Sequence, residues 1–323
     1  MAVYTLVKKN ELKEFIKSYP IGEVLSFHGI KEGIENSNFL IETTRGRFIL
    51  TLFEERVDPN DLPFFIELMN CLRGFGVMCP KPIASFKHNI LGRLCGRPAI
   101  IVTFLEGKAV TKIQPDHCGQ LGAALSLLHK AGAKCNLTRD NNLSLAGWVA
   151  IAQSIENELD NIKIGLRHEL MTEIVYLREK WPNNLPKGII HGDLFPDNVF
   201  FLRGQLSGLI DFYFACTDSF TYDISVCLNS WCFEENGEFN IEKAKCFFEK
   251  YQALRPLSKL EVGALPILAR GSAMRFLLTR CYDWIHTLDG TLVSRKDPLE
   301  YWKKLCFHRT VMSPEEYGLK FGN

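Results

Sequence analysis

The stretch from His191 to Tyr213 constrains this chain more than any other. It reads His191-Gly-Asp193-Leu-Phe-Pro-Asp197-Asn198, then a short apolar run at 199–202, Arg203-Gly204, a second run at 206–210, and finally Asp211-Phe-Tyr213. Two short apolar runs split by a polar residue and a glycine predict a β-hairpin. Strands of nearly equal length, rising roughly 3.3 Å per residue, travel out and back by similar distances. Asp211 is therefore expected to return near Asn198 and Asp193.

Around that hairpin the patterning divides the chain. Before residue 106 it is strand-rich, with β-branched or aromatic runs at 24–30, 39–44, 47–53 and 98–105 and a hairpin turn at Arg45-Gly46. Leu62, Phe65, Ile66, Met69 and Leu72 recur at helical spacing until Gly74 and Gly76 end the pattern. Beyond Glu106-Gly107 helices are expected, one with Leu121, Ala124, Leu125 and Leu128 on its apolar face and others around 148–160, 166–180, 240–253 and 261–286. A chain of 323 residues exceeds what one core usually serves. The expected fold is α+β in two lobes: a small antiparallel-sheet lobe over 1–105 and a larger, mainly helical lobe over 106–323. The polar stretch after Arg309, with Gly318 and Gly322, is expected to be a mobile tail.

Charge and cysteine usage exclude several classes. Lys+Arg at 38 against Asp+Glu at 37 leaves no basic surplus for nucleic acid or an anionic membrane. The 11 cysteines are odd in number and lack C-x-x-C pairs, so they read as reduced, mostly buried thiols with neither a disulfide framework nor a zinc site. No apolar run approaches the roughly 20 residues of a membrane span, and the N-terminus has no signal core. A cytoplasmic location is the expectation.

Residue types in the loop suggest a chemistry. Transfer of a phosphoryl group to an alcohol needs a group to orient the hydroxyl and take its proton, and oxygen ligands for Mg²⁺. Asp193 is the candidate for the first task, with His191 organising the loop; Asn198 and Asp211 are candidates for the second. The order H-x-D-x-x-x-x-N, hairpin, I-D-F resembles the protein-kinase-like aminoglycoside phosphotransferase and choline kinase superfamily. Longer strings narrow the resemblance to its homoserine kinase branch: Leu50-Thr-Leu-Phe-Glu-Glu55, Asp61-Leu-Pro-Phe-Phe65, Gly208-Leu-Ile-Asp-Phe-Tyr-Phe-Ala-Cys216, Trp231-Cys-Phe-Glu234 and Arg270-Gly-Ser-Ala-Met-Arg-Phe-Leu-Leu-Thr-Arg280. The resemblance implies ATP and Mg²⁺ as cofactors and L-homoserine as the small-molecule substrate, a step of threonine biosynthesis. Choline, an aminoglycoside or a sugar is the alternative acceptor, and a nucleotide-binding module without phosphotransfer is the alternative of another class. Oligomeric state is left open.

The resemblance also assigns further residues. Ser37 and Asn38, in a loop beginning at Glu35, are expected to cover the phosphates, and the strand carrying Thr103 and Leu105 to offer backbone groups to adenine. Thr51 stands where the superfamily often has a lysine or arginine, so Arg56, Lys31 or backbone donors must serve the phosphates instead. Glu67 is the nearest candidate for the helix glutamate that pairs with that cation elsewhere. Asp223 matches an aspartate that buttresses the catalytic loop, and His129 is expected to be a packed or capping residue. An amino-acid substrate needs a cation for its carboxylate and acceptors for its ammonium, which singles out Arg270, Arg275, Arg280 and Asp218. Tyr213, Tyr222 and Trp231 are candidates for walls of its pocket.

Overall fold

The computed structural model describes residues 5–30, 36–54, 57–287 and 295–319. These form two compact units, one made of residues up to Gly107 together with Ser207–Tyr213, the other of Lys108–Leu206 and the chain from Phe214 onward. The sequence pattern places the division after Leu105 and leaves 207–213 in the second lobe.

In the first unit a five-stranded antiparallel sheet has the order β1 (Val24–Gly29), β2 (Asn36–Thr43), β3 (Gly46–Phe53), β5 (Arg97–Thr103), β4 (Gly92–Leu94). The hairpin between β2 and β3 turns one residue earlier than the sequence suggests, because Gly46 already pairs with Thr43. Alternation sorts the side chains by face. Phe39, Ile41, Leu50, Leu52, Ala99 and Ile101 form one core with Leu12 and Ile16 of α1 (Lys9–Ile16), a helix the sequence pattern does not announce. From the opposite face Phe53 shares Tyr213 with Phe65 of α2 (Leu62–Gly74).

The second unit is helical, with α3 (Pro115–Gly132), α4 (Leu145–Ser154), α5 (Leu159–Ile162), α6 (Leu166–Lys180), α7 (Phe220–Trp231), α8 (Ile241–Leu254), α9 (Lys259–His286) and α10 (Pro298–Thr310). α3 and α8 approach closely because Gly122 faces a carbonyl: a Cβ there would lie 2.2 Å from Phe247 O. The long α9 starts at a capping box between Ser258 and Glu261 and buries Leu265, Leu268, Ala273, Met274 and Leu277. β6 (Lys187–Ile190) pairs antiparallel with β9 (Cys216–Ser219), a ribbon not expected from the sequence. The hairpin that is expected exists as β7 (Val199–Leu202) and β8 (Gln205–Leu209).

The stretch after Arg309 is not a tail as far as Leu319. Tyr317 is fully buried and its hydroxyl meets His308 Nδ1 at 2.7 Å, so one aromatic residue anchors the segment against α10. Cys79, Cys118, Cys216, Cys227, Cys232 and Cys281 are free and buried, while Cys71 and Cys135 are not free thiols, which corrects the reading of all 11 as reduced. Among the described residues no helix is long and apolar enough to cross a membrane.

Candidate active site

The loop that follows β6 is held by hydrogen bonds to three successive peptide groups. Asp223, in the first turn of α7, accepts hydrogen bonds from His191 N–H at 2.8 Å and Gly192 N–H at 2.9 Å. Arg275 of α9 donates through Nη1 to the Gly192 carbonyl. Only glycine suits position 192, where φ is +74° and a Cβ would lie 2.9 Å from Phe214 O. Trp231 donates its indole N–H to Leu194 O at 2.9 Å, fixing the next stretch of the loop.

Behind the clamp lies a chain of buried polar groups. His129 Nε2 sits 3.1 Å from Asp223 Oδ2 and its Nδ1 2.8 Å from the Tyr251 hydroxyl. Burial alone would raise the Asp223 pKa, but the His129 contact and the backbone donors outweigh it and hold the carboxyl below its usual range. Burial lowers the pKa of His129 more than Asp223 raises it. His129 is thus more than a packed residue: it orients the aspartate that orients the loop. Sequence alone could not reveal this link, since the partners stand 94 residues apart.

Asp193 projects from this framework with Asn198 beside it. The Asn198 amide nitrogen donates to Asp193 O at 2.8 Å and to Asp193 Oδ2 at 3.2 Å, which turns its oxygen away from the aspartate. Burial pushes the Asp193 carboxyl up to about 6, against the lowering effect of the Arg275 and Lys296 charges and the Asn198 amide, with Asp197 adding to the rise. His191 is wholly buried; its Nδ1 accepts a long hydrogen bond of 3.4 Å from Asp193 N–H, an organiser's position.

The residues considered for substrate divide clearly. Arg270 forms a forked ion pair with Glu173, and Arg280 pairs with Glu300, so both are structural. Arg275 is 3% exposed, makes no ion pair among the described residues, and its Nε has no hydrogen-bond partner. Asp218 Oδ2 accepts from Asn141 at 2.6 Å and its Oδ1 from Ser219 N–H, contacts that fix a neighbouring loop. Tyr222 is buried in the interior beside Trp148 and Trp181, and Trp231 is wholly buried with its indole N–H on the loop at Leu194 O.

In the first unit the candidates also sort by face. Asn38 lies opposite Thr51 in the β2–β3 register, and Thr51 Oγ1 donates to Asn38 Oδ1 at 2.7 Å. Ser37 points the other way: its buried hydroxyl donates to Glu54 at 2.6 Å and accepts from Thr5 N–H. It is therefore separated from Asn38 and Thr51 by the sheet. The expected loop is a strand from Asn36 onward, and Glu35, Lys31 and Arg56 fall outside the described residues. Thr103 exchanges hydrogen bonds with Lys81 through its N–H and hydroxyl. Leu105 lies beyond the end of β5, with no hydrogen bond to its main-chain groups among the described residues. Glu67 is exposed on α2 without an ion pair among the described residues. Asp211 takes a left-handed backbone, φ +63°, at the end of the strand it follows.

A sheet unit, a helical unit and an H-x-D-x-x-x-x-N loop clamped by a buried aspartate define the class of kinase-like phosphotransferases. The chain belongs to the phosphotransferase enzyme family, which it matches over residues 26–257. It is 53% identical over 320 residues to the homoserine kinase of Sinorhizobium fredii, covering 99% of this chain and 98% of that protein. To the homoserine kinase of Agrobacterium fabrum it is 51% identical over 319 residues, covering 99% of each. Among solved structures it is similar to an amicoumacin kinase in complex with AMP-PNP, Ca²⁺ and Ami (TM-score 0.72, 14% identity, 95% of each chain). A microcompartment-associated aminopropanol kinase is similar to a like degree (TM-score 0.71, 16% identity, 97% of this chain and 99% of that one). These two likenesses establish the α+β protein-kinase-like fold.

Proposed function

We propose that this chain is a homoserine kinase, transferring the γ-phosphoryl group of ATP to the side-chain hydroxyl of L-homoserine. The observation that carries the substrate is identity above half with a homoserine kinase over essentially the whole of both chains. In the proposed reaction the homoserine oxygen attacks the γ-phosphorus, the bond to the β–γ bridging oxygen breaks, and the hydroxyl proton passes to an Asp193 carboxylate oxygen. A carboxyl poised at about 6 is ionised at neutral pH and still basic enough to receive that proton. Arg275 is proposed to meet the substrate carboxylate, since a buried guanidinium with an unused Nε and no ion pair is costly unless it serves an anion.

Asn198 and Asp211 are proposed as the protein's Mg²⁺ ligands. The donor set suits that ion: one amide oxygen turned outward by the use of its nitrogen on Asp193, one carboxylate, and the remaining positions left to nucleotide phosphates and water. Among the described residues no cluster of three or more His, Cys, Asp or Glu offers an all-protein cage, which also suits a metal that arrives with its nucleotide. When bound, Mg²⁺ neutralises charge on the transferring phosphates. Adenine is proposed to take the main-chain groups at Leu105, and the nucleotide phosphates the face carrying Asn38 and Thr51. The compartment is proposed to be the cytoplasm.

A coupled ADP-release assay with ATP, Mg²⁺ and a panel of homoserine, choline, sugars and an aminoglycoside tests the reading. Turnover with homoserine well above the others is expected. Turnover with another acceptor and none with homoserine would overturn the substrate and leave the kinase.

A further inference from the structure

In the first unit β3 carries Thr51, a hydroxyl, where related kinases often have a phosphate-holding cation, and α2 carries Glu67 in solvent. Ionic contact therefore does not join this strand and this helix through those two residues. A different connection is present. The Tyr213 ring stands edge-on to Phe53 at the end of β3, with centroids 5.2 Å apart and planes at 89°. It stands equally edge-on to Phe65 of α2, at 5.5 Å and 88°. Its phenol end lies by the Thr51 hydroxyl, which itself donates to Asn38.

Tyr213 is two residues from Asp211, and the short segment that carries both is tied to the first unit at its other end as well. Leu209 N–H donates to Met78 O at 2.8 Å, and Gly208 lies against the Leu105 side chain so closely that a Cβ would come within 2.5 Å. Between these anchors Asp211 is bent into the left-handed region, a conformation that persists in a non-glycine residue when its neighbours are fixed on both sides.

We propose that Tyr213 is a positioning residue: its ring, wedged between Phe53 and Phe65, ties the Asp211 segment to β3 and α2 and so sets where the Asp211 carboxylate meets a nucleotide-bound metal. This rests on the reading of Asp211 as a metal ligand. The ring does the work through shape, so phenylalanine suffices at 213 and an aliphatic residue does not. Its effect falls on the metal-linked part of nucleotide binding and not on the nucleotide alone.

The experiment measures binding of a non-hydrolysable ATP analogue by calorimetry, with and without Mg²⁺, so no turnover is required. Full-length wild type is compared with Tyr213→Phe, Tyr213→Leu, Tyr213→Met and Asp211→Asn, each checked for folding by circular dichroism. Tyr213→Phe is expected to keep the Mg²⁺-dependent tightening within about twofold. Tyr213→Leu and Tyr213→Met are expected to lose about tenfold of it, as suits the loss of two edge-to-face contacts, with Mg²⁺-free affinity changed by less than about twofold. Equal weakening with and without Mg²⁺, unaltered Mg²⁺ linkage in both aliphatic variants, or a Phe variant as impaired as they are, would each overturn the proposal. Asp211→Asn separates the two levels. If it loses the linkage while the aliphatic variants keep it, only the role of Tyr213 fails; if Asp211→Asn itself keeps the linkage, the metal reading fails and this inference falls with it.

Discussion

Replacing Asp223 by asparagine is the sharpest test of how the loop is held. The ionised carboxylate accepts from His191 N–H, Gly192 N–H and His129 Nε2, all with buried partners. Hydrogen bonds to a charged group contribute about 1.5–3 kcal/mol each. Asparagine keeps one oxygen and turns an NH₂ group toward a donor, so at least one of the three bonds becomes a donor facing a donor. The expected loss of stability is about 2–3 kcal/mol, read as a lowered urea midpoint with an unchanged slope. Because the displaced peptide leads directly to Asp193, kcat should fall about a hundredfold, the rate equivalent of that energy, while nucleotide affinity stays within about twofold. The sign of the pH dependence is also fixed. The folded pKa of Asp223 is depressed, so the clamp contributes fully above the unfolded value of about 3.9 and is lost as pH falls through the lower folded value. A variant whose midpoint and kcat both match wild type would show that the loop does not depend on this carboxylate.

Asp193→Asn should lower kcat by orders of magnitude while nucleotide still binds. Its carboxyl is raised to about 6, so ionisation of Asp193 costs stability above that pH; the inactive variant should therefore be slightly more stable than wild type at neutral pH, as thermal melts would show. In wild type kcat should fall about tenfold per pH unit below about 6 and level off above it, because the deprotonated form accepts the proton. Gly122→Ala should destabilise by about 2–3 kcal/mol despite alanine's better helix propensity, since the added methyl would stand 2.2 Å from the Phe247 carbonyl oxygen and neither helix backbone can yield cheaply. Urea unfolding measures it, and a neutral result would mean that α3 and α8 separate more readily than their packing suggests.

The sequence is most legible where local pattern and chemistry coincide. The hairpin of β7 and β8 has its turn at Arg203-Gly204 because both residues adopt positive φ, and a glycine after a polar residue between two apolar runs is the composition that such a turn requires. Helix α2 follows directly from apolar spacing. Helix α1 escapes a pattern search because its apolar stripe is short and the surrounding Lys9-Asn-Glu11 and Lys13-Glu14 read as solvated chain; only packing of Leu12 and Ile16 on the sheet makes it a helix. Ser37 and Asn38 are neighbours in sequence, yet adjacency on a strand is what separates side chains, and the period of two puts them on opposite faces. Arg270, Arg275 and Arg280 are indistinguishable by residue type. What distinguishes them is the presence of Glu173 and Glu300 on other helices, which leaves Arg275 alone to face the Gly192 carbonyl.

The Arg275 contact bears on why the loop needs charge behind it. Gly192 has neither side chain nor regular secondary structure to hold its peptide, and it must keep a left-handed φ that few residues tolerate. A hydrophobic contact cannot orient a peptide plane, because dispersion is indifferent to its rotation. Hydrogen bonds to Asp223 from both N–H groups, and from Arg275 to the carbonyl, are directional, and in a buried setting each is costly to misalign. The aromatic wedge at Tyr213 has a different task, that of locating a segment already tied at Gly208 and Leu209, for which shape is enough. The chain thus uses directional bonds to orient peptide groups and ring packing to locate a tethered segment.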